Sequence, residues 1–84
     1  MITYTVLIAP KAKEQMAQLP KEIQQRIYEK LVLAQENPFH YFIRLKGRTD
    51  HKLRAGNYRV AADIKQNERI IEITKAGHRR TFYD

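Results

Sequence analysis

The chain has 84 residues, room for one domain and not for a cofactor domain beside a substrate domain, so one activity or one interface carries the function. Its 43% apolar content allows a single compact core, and the absence of cysteine excludes disulfides, zinc fingers, iron–sulfur clusters and thiol nucleophiles and suits a reducing compartment. The net charge of +7 is lopsided: residues 1 to 42 hold five bases and four acids, residues 43 to 84 eleven bases and five acids, so the halves carry +1 and +6 and the second half should meet a polyanion.

Residues 2 to 8 are β-branched, aromatic and apolar, with Ile2, Tyr4, Val6 and Ile8 alternating against Thr3, Thr5 and Leu7, the pattern of a strand. Pro10 suits the first turn of a helix, and Ala12, Met16 and Leu19 form its apolar stripe before Pro20 stops it. A second helix runs from Pro20 to Asn37-Pro38, with Glu22 near its positive end and Ile23, Ile27, Leu31 and Ala34 on one face. The charged residues of this helical hairpin mix signs and read as a solvated outer face.

Residues 38 to 49 read as a loop with a short strand at 42 to 45. Strands follow at 51 to 55, 57 to 65 and 69 to 76, turned at Gly56-Asn57 and Gln66-Asn67. The order β-α-α-β-β-β predicts a single α+β domain in which the helices pack on one face of a mainly antiparallel sheet and leave the other face free. No segment reaches the roughly 18 apolar residues of a bilayer span. The opening residues lack the basic flank and length of a signal peptide, so no membrane association and a cytoplasmic location are expected.

A tight turn at Gly56-Asn57, with Gly at the position that needs positive φ, pairs residues whose numbers sum to 113. Leu53 then faces Val60 and Ala55 faces Tyr58 on one side, while Arg54 faces Arg59 on the other, beside Lys52 opposite Ala61. Two arginines directly opposed at roughly 5 Å repel unless an anion lies between them, which points to a phosphate site. The small Ala61 leaves a ligand room beside Lys52. Asp50 and Asp63, facing one another a step further along, are the alternative source of neutralisation. The tail residues Gly77-His78-Arg79-Arg80-Thr81-Phe82-Tyr83 add guanidinium, imidazole and aromatic groups suited to binding or processing RNA.

Other chemistries lack their residues. The nine carboxylates are scattered and form no cluster for divalent ions. His40, His51 and His78 lack metal-ligand spacing, and His51 belongs beside Leu53 on the apolar face in a structural role. Three glycines make no phosphate loop, and there is no serine to act as nucleophile. Neither a metal nor another cofactor is expected.

The runs Leu45-Lys46-Gly47, Lys52-Leu53-Arg54-Ala55-Gly56-Asn57-Tyr58-Arg59-Val60 and Gly77-His78-Arg79-Arg80-Thr81-Phe82-Tyr83 resemble the RelE/ParE toxin superfamily of prokaryotic toxin–antitoxin systems, nearest its RelE branch. The resemblance covers nearly the whole chain. It implies a ribosome-dependent endoribonuclease that cuts messenger RNA in the A site, with the ribose 2′-hydroxyl as nucleophile and no metal. By match to the motif, Arg59 and Arg79 would hold the scissile phosphate. Lys52 and Arg54 would orient the RNA and lower the pKa of the attacking hydroxyl, and Tyr83 would stack on a base or move a proton. His78 would be a general acid for the leaving 5′-oxygen, and Lys46 and Arg48 would touch ribosomal RNA. Arg80 joins this basic RNA- and ribosome-binding set, although as an exposed arginine it also fits a purely solvated role.

The RelE branch commonly carries two lysines on the strand before the hairpin, and the earlier position here is Asp50. This aspartate either pairs with Lys52 or serves as the base. The resemblance further implies a RelB-like antitoxin that lays an acidic or amphipathic segment over the basic face, and contact with operator DNA only through that complex. Two other functions fit the same residues: a ParE-type gyrase poison, and a non-catalytic basic RNA- or DNA-binding module.

Overall fold

Alternation in residues 3 to 8 produces β1 (Thr5–Ile8), with Val6 and Ile8 half-buried and Thr5 and Leu7 outward. The structure, a computed structural model, describes residues 3 to 44, 47 and 49 to 80. Helix α1 (Pro10–Ala17) starts on Pro10, whose missing N–H costs nothing in a first turn, and buries Ala12 and Met16. After Pro20, α2 (Lys21–Ala34) buries Ile27, Leu31 and Ala34, one stripe of its surface.

The expected loop after α2 opens with a one-turn helix, α3 (Pro38–Tyr41), that the sequence reading lacked, and the short strand expected at 42 to 45 is present as the two-residue β2 (Ile43–Arg44). Pro38 closes α2 and also opens α3, its carbonyl accepting a 2.8 Å hydrogen bond from the Phe42 N–H. Phe42, only 1% exposed, anchors the segment in the core. The remaining strands are β3 (His51–Ala55), β4 (Tyr58–Lys65) and β5 (Ile70–His78). They join one sheet in the order β1-β5-β4-β3-β2, antiparallel throughout except for the parallel β1–β5 pair. The α+β class and the helices on one sheet face agree with the sequence expectation. Leu53, Val60, Ile71 and Ile73 of the sheet meet Met16, Ile27, Leu31 and Phe42 in one core. Among the described residues no helix is long and apolar enough to cross a membrane.

Two local features set the faces of the sheet. The first is a bulge: Ala61 pairs with Lys75 and Ala62 with Ile73, so Thr74 is the extra residue of β5, its hydroxyl donating to the Ala61 carbonyl at 3.4 Å. Core-facing positions on β5 consequently change from odd (Ile71, Ile73) to even (Ala76), and His78 falls on the core side, across from Tyr58. The second is the turn at Gly56-Asn57. Gly56 has φ +61° whereas Asn57 is not among the positive-φ residues, the pattern of a type II′ hairpin.

The turn between β4 and β5 is longer than the expected pair Gln66-Asn67. It extends to Arg69, which holds φ +59° and accepts a 2.8 Å hydrogen bond from the Thr5 N–H, so the docking of β1 fixes its geometry.

A methyl group added at Gly56 would meet only Arg26 Nη1, at an ordinary 3.6 Å. The cost of Gly56→Ala is therefore conformational, and chemical denaturation should show a loss of about 1–2 kcal/mol with an unchanged m-value.

Candidate functional site

The register of β3 and β4 is the one expected: Arg54 is opposite Arg59, Leu53 opposite Val60, Ala55 opposite Tyr58 and Lys52 opposite Ala61. Arg54, Arg59 and Lys52 line one cavity of about 540 Å³, together with Lys30 of α2, His40 and Tyr41 of α3, and Ile43 of β2. Among the described residues, four cationic side chains and no carboxylate belong to this lining. The volume lies within the range of about 300–1,000 Å³ usual for small-molecule sites.

Two of the cations have hydrogen-bonded anchors. Arg59 Nη1 donates to the carbonyls of Gly56 and Tyr58, both at 3.1 Å, which turns its guanidinium towards the hairpin and leaves Nε and Nη2 as further donors. Lys30 Nζ donates to the Arg54 carbonyl at 2.6 Å, tying α2 to β3 where β2 no longer covers its edge. Arg54 is exposed.

Lys52 departs from expectation. The sheet face opposite the helices was expected to be free, yet Lys52 is only 6% exposed and Ala61 is buried with it. Ile43 of β2 pairs directly with Lys52, and Tyr41 lines the same cavity. The small Ala61 gives room to the side chain opposite it, and the ammonium nitrogen is buried along with the stem.

The tail residues are divided. Arg79 is exposed, and its N–H donates to the Asn57 carbonyl at 2.8 Å, which brings the start of the tail to the hairpin turn. Gly77 lies opposite Arg59 and puts no side chain there. His78 does not line the cavity: the bulge places it on the other face, where its ring meets Tyr58 edge-on at 5.1 Å and Nδ1 accepts from the Arg80 N–H at 3.1 Å. That placement does not support His78 as the acid at a leaving oxygen. Arg80 is exposed, and Lys46, Arg48 and Tyr83 lie outside the described residues.

Lys30, His40, Tyr41 and Ile43 were not among the sequence-derived site residues. The signal for two of them was the aromatic run Phe39-His40-Tyr41-Phe42. Lys30 carried only a weak one, its place next to the buried Leu31 in a helix face read as solvated.

His51 is half-buried, as its expected structural role requires, with its ring against Phe39 of α3 at 5.5 Å. Burial holds its imidazole below the ordinary 6.5, the neighbouring Arg44 adds to the effect, and Asp50 and Asp63 oppose it. Nδ1 is buried with no hydrogen-bond partner among the described residues, so a proton there would be an unpaired donor.

Solved structures with this fold include RelE proteins, alone and with RelB. A chain of the archaeal RelE–RelB complex from Pyrococcus horikoshii OT3 superposes with a TM-score of 0.80 at 26% identity, covering 94% of this chain and 98% of the other. A chain of a RelBE toxin–antitoxin complex from Mycobacterium tuberculosis gives 0.80 at 21% identity over 92% and 99%. The isolated RelE toxin of E. coli gives 0.75 at 16% identity over 89% and 83%. No protein-family model and no curated protein sequence matches the chain. The fold is that of the RelE toxins.

Because His51 is favoured neutral in the folded state, its contribution is complete above 6.5 and is lost as pH falls from that value towards its lower folded value. Between pH 7.5 and 5.5 the melting temperature should therefore fall more steeply for the wild type than for His51→Gln. Parallel curves would contradict the assignment.

Proposed function

We propose that this chain is the toxin of a type II toxin–antitoxin pair and acts in the cytoplasm as a ribosome-dependent endoribonuclease on messenger RNA in the A site. The observation that carries the proposal is the convergence of Lys52, Arg54 and Arg59 in one cavity to which no carboxylate among the described residues contributes, on a RelE fold. Opposed arginines are unfavourable on their own, and a phosphodiester between them turns the repulsion into two charge-assisted contacts.

In the proposed reaction the ribose 2′-oxygen attacks the adjacent phosphorus while the bond to the 5′-oxygen breaks, leaving a 2′,3′-cyclic phosphate and a 5′-hydroxyl. The 2′-hydroxyl proton passes to a base, and the leaving oxygen takes up a proton. Negative charge grows on the phosphoryl oxygens during attack. Arg59 and Arg79 offset it, with Arg59 already oriented by its bonds to Gly56 and Tyr58. Lys52, buried beside Ala61, acts where water screens least and favours ionisation of the attacking hydroxyl, while Arg54 holds the neighbouring backbone. Tyr83 stacks on a base or moves a proton, and Lys46, Arg48 and Arg80 supply the contact with ribosomal RNA.

A RelB-like antitoxin is the proposed partner. Its support is twofold: the solved structures with this fold include RelB complexes, and an apolar groove of about 240 Å³ lies between β1 and α2, lined by Val6, Ile8, Tyr28, Leu31, Val32 and Gln35. Val32 and Leu33 nearby are more than half exposed. The groove and the cationic cavity lie towards opposite edges of the sheet, so a partner could span both.

The test is translation of a defined message in an extract with the protein added, followed by primer extension. Cleavage at codons in the A site is expected, with Arg59→Ala and Arg79→Ala each slowing it about 10²–10³-fold. An intact message with DNA damage from gyrase would replace this function by the ParE-type one. Binding of message without cleavage would leave a basic RNA-binding module.

A further inference from the structure

The cationic half of the cavity is used by the proposed cleavage, but its aromatic half is not. His40 and Tyr41 meet edge-on with ring centroids 4.9 Å apart, and both line the cavity that holds Lys30, Lys52, Arg54 and Arg59. Their placement is built into the fold. Pro38 and Phe42, on either side of them, are both buried, the Phe42 N–H closes the turn on the Pro38 carbonyl at 2.8 Å, and Phe39 is held against His51. One helical turn is thus fixed at three points, while His40 stays exposed and Tyr41 half-exposed towards the cavity. Tyr41 also packs against the core, which holds its ring in place beside the four cations.

We infer that the His40–Tyr41 pair is a nucleobase-binding wall, which makes the cavity a subsite for one nucleotide of single-stranded RNA. The inference rests on the RNA-directed function proposed above and adds the group that reads the base. Arginine and lysine supply contacts to phosphate that are indifferent to sequence, whereas an aromatic wall contacts the flat face of the base and excludes water from it. Ile43, 67% exposed at the cavity margin and paired with Lys52, extends the apolar side of the wall. Base and phosphate would then occupy chemically distinct sides of one cavity, as a nucleotide requires. A phosphorylated peptide would use the cations and leave the rings idle.

The test compares binding of fluorescein-labelled hexa-adenylate RNA with binding of the same hexamer made of abasic ribose phosphates, by anisotropy at low salt. For the wild type, removal of the bases should weaken binding about fivefold or more, the range expected for base–aromatic stacking. Tyr41→Leu should abolish most of that difference while leaving affinity for the abasic oligomer unchanged. His40→Ala, at an exposed position, should reduce the difference and keeps the test valid if Tyr41→Leu does not fold. Arg54→Gln should weaken both oligomers equally. Equal affinity of the wild type for the two oligomers, or a base contribution untouched in both aromatic variants, would overturn the inference. Tighter binding of a phosphotyrosine peptide than of hexa-adenylate would do the same. Absence of cleavage on ribosomes combined with a base contribution lost in the aromatic variants would defeat the nuclease proposal and leave this inference standing.

Discussion

Arg54 and Arg59 are held face to face because a two-residue turn at Gly56-Asn57 fixes the register of β3 against β4. A shift by one residue would move Leu53 and Val60 out of the core, so the register cannot relax to separate the charges. Guanidinium groups as close as the roughly 5 Å between the Cβ atoms of an opposed pair would repel by on the order of 1 kcal/mol in water-like surroundings and several times that where water is excluded. Part of it is absorbed locally, since Arg59 turns Nη1 to the carbonyls of Gly56 and Tyr58. The rest is a standing preference for an anion.

The remaining elements act on that preference. The short α3–β2 segment, secured by Phe42, lines the cavity beside Lys52 and brings an aromatic pair to its margin. Lys30 ties α2 to the exposed part of β3 through the Arg54 carbonyl. The bulge at Thr74 turns His78 away to Tyr58 and leaves the side-chain-free Gly77 opposite Arg59. These features are separate in sequence and share one consequence, a pocket in which positive charge is concentrated and to which no carboxylate among the described residues contributes. That pocket lies on the fold of the RelE toxins.

Much of this was legible before the structure. Alternation in β3 and β4, bounded by Gly56-Asn57, was enough to pair Arg54 with Arg59, because register follows arithmetically once a tight turn is placed. The apolar stripes of α1 and α2 were equally readable, since burial at Met16, Ile27 and Leu31 follows helical spacing. The short strand expected at 42 to 45 was legible too and lies in β2, whereas α3 was not: a single helical turn is shorter than the period that would reveal it. The burial of Lys52 was also missed, because alternation only places it on the sheet face away from the helices. Nor does alternation show a bulge: one extra residue at Thr74 inverts the parity that would otherwise place His78 on the cationic face. The positive φ of Arg69 was hidden too, being imposed by the docking of β1 through the Thr5 N–H and not by residue type.

The central claim is that the opposed arginines are retained at a cost to the folded protein because an anionic ligand uses them. Thermal unfolding of Arg54→Met beside the wild type, at low and at high ionic strength, tests it most directly, because Arg54 is exposed and its loss removes charge without opening the core. The variant should melt roughly 1–5 °C higher at low salt, with the advantage shrinking as salt screens the pair. A variant that melts at or below the wild-type temperature in low salt would show that the arginines do not oppose one another, and would contradict the account.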